Sequence, residues 1–158
     1  MASSNDAGAP RTAAQLAEAY LNAQEARDKQ AILDMLAEDF ALEVPCNVSG
    51  TNDLSDSWYG LEAADANYEM AFRIIERLAY TGREVTPGRD DSTAFVETMG
   101  DMKMANGRPY RNRYVFRFDV ANGKIRRIRE YCNPITSAIS FGLPLPQSSD
   151  DGVDNKFV

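Results

Sequence analysis

Apolar residues in this chain recur first at helical spacing and then at strand spacing. Between residues 13 and 26, Leu16, Ala19, Tyr20 and Ala23 fall three or four apart, which predicts an amphipathic helix. Thr12 stands where its N-cap belongs. Asp28 can cap a second, shorter helix that buries Ile32, Leu33, Met35 and Leu36. A strand over 41–44 follows, stopped by Pro45. Residues 46–59 are rich in Asn, Ser, Thr, Gly and Asp and predict a long loop ending in Trp58-Tyr59-Gly60. A third helix is expected over 61–79, with Ala64, Asn67, Tyr68, Ala71, Ile74, Ile75 and Leu78 near one face.

Beyond that helix the period shortens to two. Strands are expected over 81–87 and 93–104, the second bent at Gly100, with a turn at 88–91 between them. Asn106-Gly107 and Asn122-Gly123 are hairpin signals, because both central residues must accept positive φ. Between those turns Asn112, Tyr114, Phe116 and Phe118 alternate with Arg111, Arg113, Val115 and Arg117. The returning strand ends at Cys132, and a short helix over 135–141 follows. Helix, helix, strand, helix and then four antiparallel strands predict an α+β domain. Its strongly curved antiparallel sheet, capped by three N-terminal helices, would close a cone-shaped hollow suited to a small ligand. The domain is expected over 12–147, between a disordered stretch at 1–11 and a flexible acidic tail at 148–158.

Composition narrows the chemistry. A length of 158 residues suits one core, and 44% hydrophobic with 26% charged residues is ordinary for a globular protein. A net charge of −7 argues against a nucleic-acid partner despite the arginines between residues 108 and 129. No apolar run reaches membrane-spanning length, and the N-terminus lacks a signal peptide's pattern, so a cytoplasmic location is expected, with no membrane partner. Two cysteines, Cys46 and Cys132, suit free thiols in a reducing compartment. Histidine is absent, so proton transfer must use carboxylates, phenols, lysines, thiols or water. No metal-ligand spacing and no phosphate loop is present, and neither a metal nor any other cofactor is expected.

Two stretches carry family resemblance. Ala19-Tyr20-Leu21-Asn22-Ala23 and the run from Ile32 to Pro45 resemble the ketosteroid isomerases of the nuclear-transport-factor-2-like superfamily, whose cone fold is also called cystatin-like. Tyr20 matches their oxyanion-hole tyrosine, while Val44 stands in place of their general-base aspartate and Tyr114 in place of their second donor. Asn112-Arg113-Tyr114, Arg129-Glu130-Tyr131-Cys132-Asn133-Pro134 and Gly142-Leu143-Pro144-Leu145-Pro146-Gln147 resemble phenazine-biosynthesis A/B proteins, near relatives of SnoaL-like polyketide cyclases. That resemblance implies an acid/base role for Glu130, places Asn67 where those proteins keep a pocket histidine, and implies a homodimer formed through the outer sheet face.

The candidate catalytic residues are therefore Glu130, Tyr20, Tyr114 and Asn67. A carboxyl between Ile128 and Cys132 on a pocket face would be desolvated and its pKa raised. A buried tyrosine can donate to a developing enolate oxygen. Candidate substrate-binding residues are Trp58, Tyr59, Phe72, Phe95, Met99, Asn112, Phe116, Ile128 and Cys132. The expected activity is cofactor-independent acid/base chemistry on a hydrophobic or aromatic carbonyl-bearing substrate: isomerisation, cyclisation or condensation. The alternative is a non-catalytic binder of small hydrophobic ligands.

Overall fold

Thr12 closes a capping box at the start of helix α1 (Ala13–Ala26). Its hydroxyl accepts from the Gln15 N–H at 3.2 Å, and the Gln15 side chain accepts from the Thr12 N–H at 3.0 Å. The helix buries Leu16, Ala17, Tyr20 and Leu21, and ends where Arg27 turns left-handed at φ 57°. The Arg27 guanidinium donates to the carbonyls of Phe72 and Ile75, which ties this end to the close of a later helix. The computed structural model describes residues 10–145; the first nine residues and the expected acidic tail lie outside the described residues.

Asp28 caps α2 (Lys29–Met35) by accepting from the Ala31 N–H at 3.0 Å. Strand β1 (Leu36–Val44) follows directly, starting earlier than the expected 41–44. The expected loop over 46–59 contains β2 (Asp56–Tyr59), which pairs antiparallel with β1 so that Trp58 faces Leu42. Helix α3 (Gly60–Ile74) is shorter than expected, and β3 (Ile75–Arg77) replaces its last turn. Ile75 fits either period; its pairing with Met104 decides for strand.

The remaining elements are β4 (Tyr80–Pro87), β5 (Thr93–Gly100), β6 (Met102–Met104), β7 (Pro109–Tyr110), β8 (Arg113–Ala121), β9 (Lys124–Cys132) and α4 (Pro134–Phe141). The strand expected over 93–104 is therefore two strands in two sheets. Gly100 is the break. A β-carbon there would lie 2.9 Å from Cε2 of Tyr114 and 3.0 Å from Cε of Met102, so only glycine lets the backbone pass that ring.

The main sheet runs β2-β1-β9-β8-β5-β4, and β3-β6-β7 form a second, small sheet. All main-sheet pairs are antiparallel but one: β1 lies parallel to β9. The expected all-antiparallel sheet is thus mixed, because the pairing joins strands with no shared turn to reveal their direction. Ion pairs fasten this seam, Arg126 to Asp39 at 2.8 Å and Arg129 to Glu43 at 3.0 Å. Arg129, the nearest candidate counter-ion for Glu130, is thereby engaged elsewhere.

Alternation sorts the sheet into two faces. Ala94, Val96, Thr98, Tyr114, Phe116, Phe118 and Ile128 are buried on the side that α1 and α3 cover. Phe95, Met99 and Val115 are exposed on the other. Among the described residues, no helix is long and apolar enough to cross a membrane.

Candidate functional site

Strands β8 and β9 carry the centre of the site. In the β8–β9 register Tyr114 lies opposite Cys132, Phe116 opposite Glu130, and Phe118 opposite Ile128. All six belong to the inner face. Glu130 is thus a carboxyl between apolar rings, half-buried, with no arginine or lysine in salt-bridge range among the described residues. Loss of hydration raises its pKa from 4.5 to about 7, with the neighbouring Cys132 thiol pulling it the other way. Burial in turn pushes the Cys132 thiol up to about 12.

Phenols gather around this carboxyl. Tyr20 comes from α1, Tyr68 from α3, Tyr80 from β4, Tyr110 from β7 and Tyr114 from β8. Burial raises the pKa of each, and the negative charge of Glu130 adds to the shift. Tyr110 is pushed up to about 12. All five are therefore neutral hydrogen-bond donors near pH 7.

Their hydrogen bonds form a chain. The Tyr80 hydroxyl donates to Oε1 of Gln24 at 2.8 Å, Nε2 of Gln24 donates to the Tyr20 hydroxyl at 2.9 Å, and the Tyr20 and Tyr68 hydroxyls share a 2.8 Å bond. Gln24 supplies a proton to this pair without taking one from it. The bond between the phenols uses one of their two O–H protons, so the other has no acceptor among the described residues. The pair thus keeps one donor in reserve inside the fold.

The other expected residues divide. Trp58 and Phe72 are half-buried and packed on the core. Phe72 tilts beside Tyr68 with ring centroids 6.5 Å apart and has the Arg27 guanidinium over its face. Asn67 is half-buried on α3, next to Tyr68. Tyr114 stacks on Phe116 at 5.2 Å and meets Tyr80 and Tyr110 edge-on. Three expectations are corrected by strand parity. Phe95 and Met99, 37% and 43% exposed, point away from Glu130 on the outer face. Tyr59, 59% exposed, follows Trp58 and faces the opposite way, outward.

Asn112 is a fourth correction. Its Oδ1 accepts from the N–H groups of Asn133 and Arg113, and its Nδ2 donates to the Asn133 carbonyl and the Ser137 hydroxyl. With every amide valence engaged, it clamps β8 to the start of α4 and has nothing left for a ligand. Reading by sequence passed over Tyr68, Gln24, Tyr80 and Tyr110. Tyr68 had a signal, since it shares the helical stripe of Ala64; the others depend on contacts between distant segments. Two surface depressions, of about 390 and 520 Å³, are lined by residues that do not include Glu130.

Helices packed on one face of a mixed six-stranded sheet give this chain the fold of a nuclear-transport-factor-2-like protein from Burkholderia xenovorans, with a TM-score of 0.66 and 21% identity over 84% of this chain and 98% of that one. Residues 17–128 match the SnoaL-like domain, and the chain belongs to that family. The matched span includes Tyr20 and Tyr68 and stops just short of Glu130. Phenazine biosynthesis protein PhzA1 of Pseudomonas aeruginosa is 40% identical over 42 residues, which cover 27% of this chain and 26% of that protein. The match thus spans about a quarter of the relative's length. A candidate isomerase from Bacillus subtilis has the same fold, with a TM-score of 0.73, 23% identity, and coverage of 85% of this chain and 96% of that one. Protein RV0760c of Mycobacterium tuberculosis, solved with estradiol-17beta-hemisuccinate, has a TM-score of 0.68 and 23% identity over 78% of this chain and 95% of its own.

Proposed function

We propose that this protein is a cofactor-independent acid/base catalyst acting on a carbonyl-bearing, cyclic small molecule, by isomerisation, cyclisation or condensation. The observation that carries the reading is a carboxyl without a counter-ion among the described residues, set among apolar rings and neutral phenols on the inner face of the sheet. A carboxyl titrating near neutrality can take a proton from carbon and return it at little cost in either direction. The spare O–H of the Tyr20–Tyr68 pair suits the oxyanion that forms as that proton leaves. Asn67 would orient the substrate, and Trp58, Phe72, Phe116 and Ile128 would hold its apolar part.

The test is proton exchange. A panel of cyclic ketones is incubated with the protein in D₂O, and deuterium entry beside the carbonyl is followed. Wild type should speed entry for at least one member, and Glu130→Gln should abolish it while keeping the fold. Equal exchange by the variant would remove Glu130 from the chemistry.

A binding role without turnover is the second reading, favoured by the steroid ester held by RV0760c. It predicts thermal stabilisation by a steroid hemisuccinate with no exchange.

A further inference from the structure

Three strands leave the main sheet at one level. β4, β5 and β8 are neighbours in it, and β3, β6 and β7, which adjoin them along the chain, form the small sheet. The chain passes between the sheets at Leu78-Ala79, at Asp101 and at Arg111-Asn112. Backbone bonds tie these passages together: the Asp101 N–H donates to the Ala79 carbonyl at 2.8 Å, and the Gly100 N–H to the Asn112 carbonyl at 2.9 Å. Strands that switch sheets in this way make a corner. A depression of about 390 Å³ opens there.

Its lining joins a cross-strand row, Thr81, Met99 and Arg113, to the pair Asp101 and Arg111. The register sets Thr81 beside Met99 and Met99 beside Arg113. All three are exposed, on the face of the sheet away from Glu130. Charge at the corner is unbalanced. Asp101 accepts from Arg77 at 3.0 Å and from Nε of Arg111 at 3.2 Å, so one carboxylate serves two guanidiniums. Arg113 has no carboxylate within salt-bridge range among the described residues, and the terminal nitrogens of Arg111 have no partner there either. Three arginines against one aspartate leave an excess of positive charge here, in a chain whose net charge is −7. Asn112 also lines the depression, but its amide is already spent on Asn133, Arg113 and Ser137.

We propose that this corner is a second binding site, for a small organic anion: a carboxylate carried on an apolar body. The carboxylate lies between Arg113 and the free end of Arg111, whose planar forks match its two oxygens. The apolar body rests on the Met99 side chain, a soft and adaptable surface that favours an aromatic ring. The volume falls at the lower end of the roughly 300–1,000 Å³ of ligand pockets, which suits a body of about one ring. Asp101 holds Arg111 in place and at the same time opposes the incoming charge. No residue is shared with the Glu130 centre, so failure of this site and failure of the catalytic reading are separate results.

The ¹⁵N-labelled full chain is titrated with sodium benzoate at constant ionic strength and followed by its amide resonances. Saturable shifts should gather at Gly100, Asp101 and Arg113. Arg113→Gln and Arg111→Gln should each weaken benzoate by about tenfold or more, since each removes a charged donor. Asp101→Asn should tighten it, because the opposing carboxylate has gone; a merely structural role would not give that sign. Benzamide, with the same shape and no charge, should not saturate. Inorganic phosphate, with charge and no apolar body, should bind more weakly than benzoate. Unchanged benzoate affinity in both arginine variants, equal binding of benzamide or phosphate, or shifts gathered at Glu130 and Cys132 instead would each overturn the site. So would shifts at Gly100 and Arg113 that grow with protein concentration alone and leave no saturable benzoate binding, because a second copy of the chain would then fill the corner.

Discussion

Tyr20 on α1 and Tyr68 on α3 are joined hydroxyl to hydroxyl at 2.8 Å, with their rings edge to face at 6.2 Å. Segments 48 residues apart are thus fixed to each other beneath the sheet. Tyr20→Phe should cost about 2–3 kcal/mol in urea unfolding, because both Tyr68 and Gln24 lose a buried partner. Tyr68→Phe removes one partner only and should cost about 1 kcal/mol. If the spare proton serves a substrate oxyanion, Tyr20→Phe should also slow exchange by about 100-fold or more.

Glu130 should make stability depend on pH in an unusual direction. Its folded pKa of about 7 lies above the ordinary 4.5, so the folded state holds the proton more tightly than the unfolded chain. The contribution is complete below pH 4.5, declines as pH rises from there to about 7, and then levels off. Its full size is about 3 kcal/mol. Glu130→Gln, which stays neutral, should flatten this part of the curve in urea melts between pH 4.5 and 8. A wild-type curve that rises across the same window would refute the desolvated carboxyl.

Asn112→Ala should damage the fold rather than any ligand contact. It removes four hydrogen bonds, two of them to backbone N–H groups that then lack a partner. A loss of about 3 kcal/mol is expected by chemical denaturation. Hydrogen exchange should quicken at Asn133 and Arg113 before it does elsewhere.

Gly100→Ala should be destabilising by about 1–3 kcal/mol, since the new methyl would press on Tyr114 and Met102. A lowered melting temperature with the Glu130 titration displaced would show that the bend holds the aromatic row in place.

Met99→Lys should leave Glu130 untouched, because the two side chains lie on opposite faces of the sheet. If chains associate through that outer face, light scattering should show weaker association in the variant. A displaced Glu130 titration would contradict the facing assigned to Met99.

The sequence carried most of this where neighbours in space are neighbours in the chain. The alternation from Asn112 to Phe118 and the Asn122-Gly123 turn define β8 and β9 as facing strands, and from them the facing of Tyr114 and Phe116. Two relations were not legible. Phe95 and Met99 are as apolar as Phe116, and only the β5–β8 register, with Phe95 against Arg117 and Val96 against Phe116, shows which way they point. The parallel seam leaves no local mark either, since Glu43 and Arg129 meet across 86 residues. The same reason hid Gln24 and Tyr80, which come together only once α1 lies on the sheet.

That seam also orders events in folding. The strand bearing Glu130 must wedge between β1, from early in the chain, and β8, its immediate predecessor. β1 and β9 meet across 86 residues, a non-local pairing of the kind that slows folding. On the ribosome, α1 and α3 can collapse together well before this piece emerges. Until it docks, the phenols have no acid to surround, so a chain halted short of β9 would lack both Glu130 and the strand that Phe116 and Tyr114 face.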